Sequence, residues 1–165
     1  MVPRRGHRGL PSAAPPSRLN DRSKEHIVKN SANRIVGLIF GAVYLLVGIL
    51  GFAVTGGVGF LATEGGLLLG VFEVNPLHNI VHLLIGALLV VGGIAGVGAA
   101  KGINGTVGVV YLLVGVVGFF IADTAANILA LNTADHILHL GSALILLGVS
   151  LGADRDRVVT ARPAV

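Results

Sequence analysis

Four histidines carry most of the chemistry this chain could perform. His78 and His82 are spaced i, i+4, and His136 and His139 i, i+3. On helices each pair therefore shares a face. Imidazole is a favoured protein ligand for zinc, copper and haem iron. Carboxylates stand beside both pairs, since Glu73 precedes the first and Asp135 is one turn before His139. Asp135 is placed to accept the His139 ring N–H, an arrangement that also steadies metal ligands. His78, His82, His136 and His139, with Glu73 or Asp135 as partners, could hold a divalent metal ion. Alternatively, His82 and His139 could ligate a haem from two sides. The same groups serve two further readings, namely structural hydrogen bonds between helices and a pathway for protons or a small solute. The structural reading leads, because helix ends near a membrane interface tolerate polar residues without a special role. The pathway reading is weakened because no other span has a charge to continue a relay inward.

Other chemistries are excluded or unsupported. There is no cysteine, so disulfides, thiolate metal sites and c-type haem attachment are ruled out, and the only methionine is Met1. No phosphate-binding glycine loop, zincin helix or nucleophile elbow is present. Ser142 lacks an identifiable base and oxyanion hole. No catalytic residue is assigned, and an enzyme is not expected.

The elements that must position these histidines are membrane spans. The 165 residues are 53% hydrophobic and 12% charged, with 25 glycines and a mean hydropathy of +0.85, far from the balance of a soluble domain. A helix crosses roughly 30 Å of hydrocarbon at about 1.5 Å per residue. Four helices are expected, at about 35–54, 76–100, 103–122 and 134–153, forming a membrane domain over 34–153. Asn75 serves as N-cap and Pro76 as the first residue of the second helix, which Lys101-Gly102 ends with a short turn. Residues 55–74 read as an extramembrane loop with an interfacial turn. Residues 1–33 read as a disordered basic cytoplasmic tail and 154–165 as a short cytoplasmic tail.

The glycines have a pattern. Gly37, Gly41, Tyr44, Gly48 and Gly51 advance by fours and threes and so occupy one helix face, on which another helix can approach closely. Tyr44-Leu45-Leu46-Val47-Gly48 recurs as Tyr111-Leu112-Leu113-Val114-Gly115, a shift of 67 that also pairs Gly41 with Gly108 and Gly51 with Gly118. A shift of 57 pairs Asn75 with Asn132 and His82 with His139. The fold is therefore expected to be all-α and polytopic, with four transmembrane helices built as two parallel repeated hairpins. His82 and His139 then lie at matched depth, about 9 Å past their helix starts, within reach of Tyr44 and Tyr111.

Charge orients the bundle. Of the 12 Lys and Arg residues, eight precede the first span, Lys101 separates the second and third, and three follow the fourth. By the positive-inside rule both termini are cytoplasmic in a plasma membrane, while Glu64, Glu73, Asp123 and Asp135 face outward. The basic tail is expected to touch anionic lipid headgroups rather than nucleic acid. A homo-oligomer would bury remaining helix faces.

The stretch Asn75-Pro76-Leu77-His78-Asn79-Ile80-Val81-His82, followed by Gly86, is an Asn-Pro-x-His-Asn-x-x-His signature. It resembles that of small four-helix bacterial membrane proteins, common in actinobacteria, of the domain of unknown function 4383 type. The resemblance covers about residues 33–152 and implies the four-span fold without an activity or a catalytic residue. His78 and His82 match the signature, whereas His136 and His139 follow only from the internal repeat. In that repeat Asp135 stands opposite His78, which breaks strict two-fold symmetry.

Overall fold

Three of the four helices begin after a residue whose side chain satisfies a free N–H group of the first turn. In the computed structural model, which describes residues 31–154, these are Ser31, Asn75 and Asn132, before α1 (Ala32–Gly51), α2 (Pro76–Ala95) and α4 (Thr133–Gly152). The expected basic tail as far as residue 30, and the C-terminal tail beyond 154, lie outside the described residues. Ser31 Oγ accepts from the Arg34 N–H, and Asn75 Oδ1 accepts from the His78 N–H with Pro76 at the first helical position. Asn132 and Asp135 exchange bonds in a capping box at 3.1 and 3.0 Å.

Between α2 and α3 (Val97–Ile121) the chain reverses at Gly96, whose φ of 141° is strained for any other residue. The junction is thus at Gly96 rather than Lys101-Gly102, and Lys101 lies within α3. Charge suggested the break, but backbone freedom decides it.

Residues 55–74 are more ordered than a loop with a turn. They contain an antiparallel hairpin of β1 (Gly66–Leu68) and β2 (Phe72–Val74), paired Gly66 to Val74 and Leu68 to Phe72. Leu69 and Gly70 turn it with φ of 55° and 72°, the left-handed pair that suits tight hairpins. The hairpin is laced to the loop before α4. The Glu73 N–H donates to Asp135 Oδ2 at 3.1 Å, and Asn132 Nδ2 donates to the Val71 carbonyl at 2.8 Å. Asn75 Nδ2 bridges the carbonyls of Ala62 and Ile128 at 2.8 and 2.7 Å. The starts of α2 and α4 are thereby fixed side by side.

All four helices are long and apolar enough to cross a membrane, and no more than 39% of any span is buried inside the protein. Ile39, Leu46, Phe120, Leu144 and Leu151 face outward, so lipid must cover what protein does not. The protein is a multi-pass membrane protein. Its core is Tyr44, Leu89, Val107, Tyr111, Ala143 and Leu146.

α1 packs chiefly on α2, and α3 on α4. Gly37, Gly41, Tyr44, Gly48 and Gly51 are all buried, as are Gly108, Tyr111, Gly115 and Gly118. The contacts obey the same offsets as the sequence. Gly48 receives Leu83 while Gly115 receives Leu140, and Gly41 receives Val90 while Gly108 receives Leu147. Where a pair changes, it changes in compensation: Leu38 fills the space at Gly93, and Ser150 fills the corresponding space at Gly105.

At the opposite end from the hairpin, the first and last turns are clasped. Asp154 Oδ2 accepts from Ser31 Oγ at 2.6 Å and from Asn33 Nδ2 at 2.9 Å. Desolvation alone would raise the Asp154 carboxyl, but the combined hydrogen bonds from Ser31, Asn33 and Ala32 hold it below the usual aspartate value.

Candidate functional site

The two caps aim the histidines. With Pro76 opening α2, His78 falls in the first turn and His82 one turn deeper, both toward the bundle. The capping box of α4 brings His139 to the same layer. His78, His82 and His139 are 1%, 4% and 4% exposed, which places three imidazoles in the dry interior.

These three rings converge. His78 Nε2 and His82 Nε2 are 3.1 Å apart, and the His139 ring centroid is 6.0 Å from that of His78 and 6.2 Å from that of His82. One ring nitrogen from each lies within 4.8 Å of the others. The His78–His82 contact is a hydrogen bond only if one ring carries its proton at Nε2 and the other does not. A cation between two bare Nε2 lone pairs would satisfy both rings in the same tautomer. The Nδ1 atoms of His78, His82 and His139 are buried without a well-formed hydrogen bond, although the carbonyls of Glu73 and Leu129 stand beside His78 and that of Asp135 beside His139. Such carbonyls are the usual outer partners of metal-bound histidine.

The tyrosines close the layer. Tyr44 lies 5.3 Å from His82 and Tyr111 4.9 Å from His139 between ring centroids, and the two tyrosines meet edge-on at 5.2 Å. Tyr44 Oη donates to Ser142 Oγ at 2.8 Å, joining α1 to α4. The three imidazole nitrogens lie close enough together to meet at one ion. Beside His82, Tyr44 and Ser142 a cavity of about 440 Å³ opens between α1 and α4.

The other expected residues lie elsewhere. His136 is not in the cluster; its ring packs on Gly118 and 4.7 Å from Phe119. Asp135 does not take the His139 ring N–H, because at the third position of α4 its carboxylate is occupied by the N–H groups of Asn132 and Glu73. Glu73 Oε1 accepts from the Gly65 N–H at 2.7 Å and also stays out of the layer.

Sequence reasoning weighed Ser142 only as a nucleophile, quoted Asn79 only within the signature, and missed Asn104. Ser142 is three residues beyond His139, so helical spacing already put it on the histidine face. Asn79 packs on Gly51 and donates to Thr55 Oγ1 at 3.1 Å, occupying the place that His136 takes on Gly118. Asn104 Nδ2 donates to the Asn33 carbonyl at 2.9 Å.

Four apolar helices around a buried cluster of three histidines define a small, helical, multi-pass membrane protein. The chain belongs to the family described as Domain of unknown function (DUF4383), which matches residues 34–152. That span holds all four helices from Arg34 onward and all four histidines of α2 and α4. No curated protein and no solved structure matches it.

Proposed function

We propose that this protein binds a single transition-metal ion within the membrane, through His78, His82 and His139, and that the ion is copper in its monovalent state. One observation carries the reading: three buried imidazoles each offer a nitrogen within 4.8 Å of the others, with no carboxylate or cation among them. Imidazole suits copper and zinc alike. Charge separates them, because the desolvation cost of an ion grows with the square of its charge and three neutral ligands cancel none of it. A single charge is the cheaper one to bury. Tyr44 and Tyr111 pack their rings against His82 and His139 beside the ion.

The frame is read as two parallel copies of one hairpin in a plasma membrane, with both termini cytoplasmic and the β-hairpin side outward. The matched glycine contacts and the distribution of Lys and Arg support this. The basic tail would rest on anionic headgroups.

The test is copper(I) titration of detergent-purified protein against a colorimetric chelator, with zinc(II) in parallel. One copper per chain is expected, with affinity lowered about tenfold or more by His78→Ala, His82→Ala or His139→Ala. No binding by the wild type, or undiminished binding by the triple variant, would overturn it. A second reading draws on the Tyr44–Ser142 and His78–His82 bonds, in which the layer is a structural polar girdle. A metal-free protein whose unfolding temperature falls in each variant would establish that instead.

A further inference from the structure

The cavity of about 440 Å³ between α1 and α4 opens on the side of the bundle. These two helices touch sparsely, because α1 packs chiefly on α2 and α3 on α4. Ile39, Val43, Ile137 and Ile145 form its rim and are each at least half exposed, so it faces lipid. Its inner end is different. Tyr44, His82 and Ser142 stand there, no more than 5% exposed, with Tyr44 Oη donating to Ser142 Oγ at 2.8 Å and the Tyr44 ring 5.3 Å from that of His82. Ser142 Oγ accepts that bond, while its own hydroxyl proton has no acceptor among the described residues. A serine hydroxyl rotates to suit its surroundings, so this proton can be offered to a guest. No Asp, Glu, Lys or Arg lines the cavity.

We propose that this cavity binds a neutral, lipid-soluble molecule with a carbonyl on a flat ring, the chemistry of a membrane quinone, whose carbonyl accepts from Ser142. The volume lies within the usual range for small-molecule sites, roughly 300–1,000 Å³, and an apolar wall with a few convergent polar groups is their usual make-up. Depth selects the guest. Ser142 is the tenth of the 20 residues of α4, so it stands near the middle of a hydrocarbon layer roughly 30 Å thick. A phospholipid keeps its headgroup and ester carbonyls at the interface, and only its acyl chain, which has nothing to accept the Ser142 proton, extends that far. A quinone head has no charge to hold it at the interface and brings its acceptor with it. Phe40 and Tyr44, whose ring centroids are 6.0 Å apart, give a flat ring aromatic neighbours at the wall. The contact is made by Ser142 and needs no ion at the three histidines, so it stands apart from copper binding.

Tritiated decylubiquinone is the probe, on the full chain in lipid nanodiscs. Saturable binding of one molecule per chain is expected above the partitioning into empty nanodiscs. Ser142→Ala should weaken it about fivefold, the worth of one neutral hydrogen bond. Decylbenzene, with the same tail and no acceptor, should compete more weakly than unlabelled decylubiquinone by about the same factor. Gly141 lines the cavity and has nothing within 4 Å of an added Cβ, so Gly141→Phe should occlude it and abolish saturable binding without disturbing the bundle. Binding no greater than in empty nanodiscs would show that lipid chains fill the cavity and would overturn the proposal. So would decylbenzene competing as well as decylubiquinone, undiminished affinity in Ser142→Ala, or binding kept by Gly141→Phe.

Discussion

The interior of the bundle holds many polar side chains, among them His78, Asn79, His82, Asn104, His136, His139 and Ser142, and each can be asked what it does. Tyr44 has two separable roles: its ring lies against His82, and its hydroxyl bonds Ser142 across the α1–α4 boundary, where helix contact is sparse. Tyr44→Phe keeps the ring and removes the bond. Interhelical hydrogen bonds in membranes are worth about 0.6 kcal/mol and at most about 1.7, so unfolding in detergent should show a loss of that size with copper affinity unchanged within about twofold. A tenfold loss of affinity would make the hydroxyl a ligand. The histidines were legible in the sequence because they are nearly the only titratable groups in apolar runs. Which three converge was not, because that depends on how far each helix is rotated about its axis, and spacing alone leaves rotation free. Asp135 misled for a related reason: one turn from His139 is also the third position after an N-cap, and there the unpaired N–H groups of Asn132 and Glu73 claim the carboxylate.

Helices bring these side chains together only because their backbones can approach. A Cβ added at Gly41 would stand 2.7 Å from Val90 Cγ2, 2.8 Å from the Gly86 carbonyl oxygen and 2.9 Å from the Val90 nitrogen, two of them backbone atoms that cannot swing away. Gly41→Ala should therefore separate α1 from α2 and cost roughly 1–3 kcal/mol, the range for overpacking. Gly148 has nothing within 4 Å of an added Cβ, so Gly148→Ala should be neutral or slightly stabilising. Thermal unfolding of the two variants side by side checks this, and equal behaviour would mean that the stripe is compositional. The spans themselves could be read from length and apolarity, since little else accounts for 20 uncharged residues. The three-residue strands could not, being too short for a period of two to register. The α2–α3 break was misplaced for a similar reason: Gly96 is one of many glycines, and only its backbone angle distinguishes it.

At the scale of the whole molecule, the three-histidine layer has a direction only if the bundle does. The carboxylates of the hairpin end and the two described basic residues of the far end, Arg34 and Lys101, are separated along the helix axes. On the orientation proposed above, the three-histidine layer would lie toward the outer surface. The sequence has no cysteine, so each introduced thiol is a unique reporter. Ala125, exposed in the loop before α4, and Ala99, exposed near the α2–α3 junction, mark the two ends. In intact cells a membrane-impermeant maleimide should label Ala125→Cys, and should reach Ala99→Cys only after permeabilisation. The converse pattern would reverse the orientation, and the three-histidine layer would then lie toward the cytoplasmic side. Labelling of both positions from outside would instead break the four-span crossing, because one helix hairpin would then fail to cross.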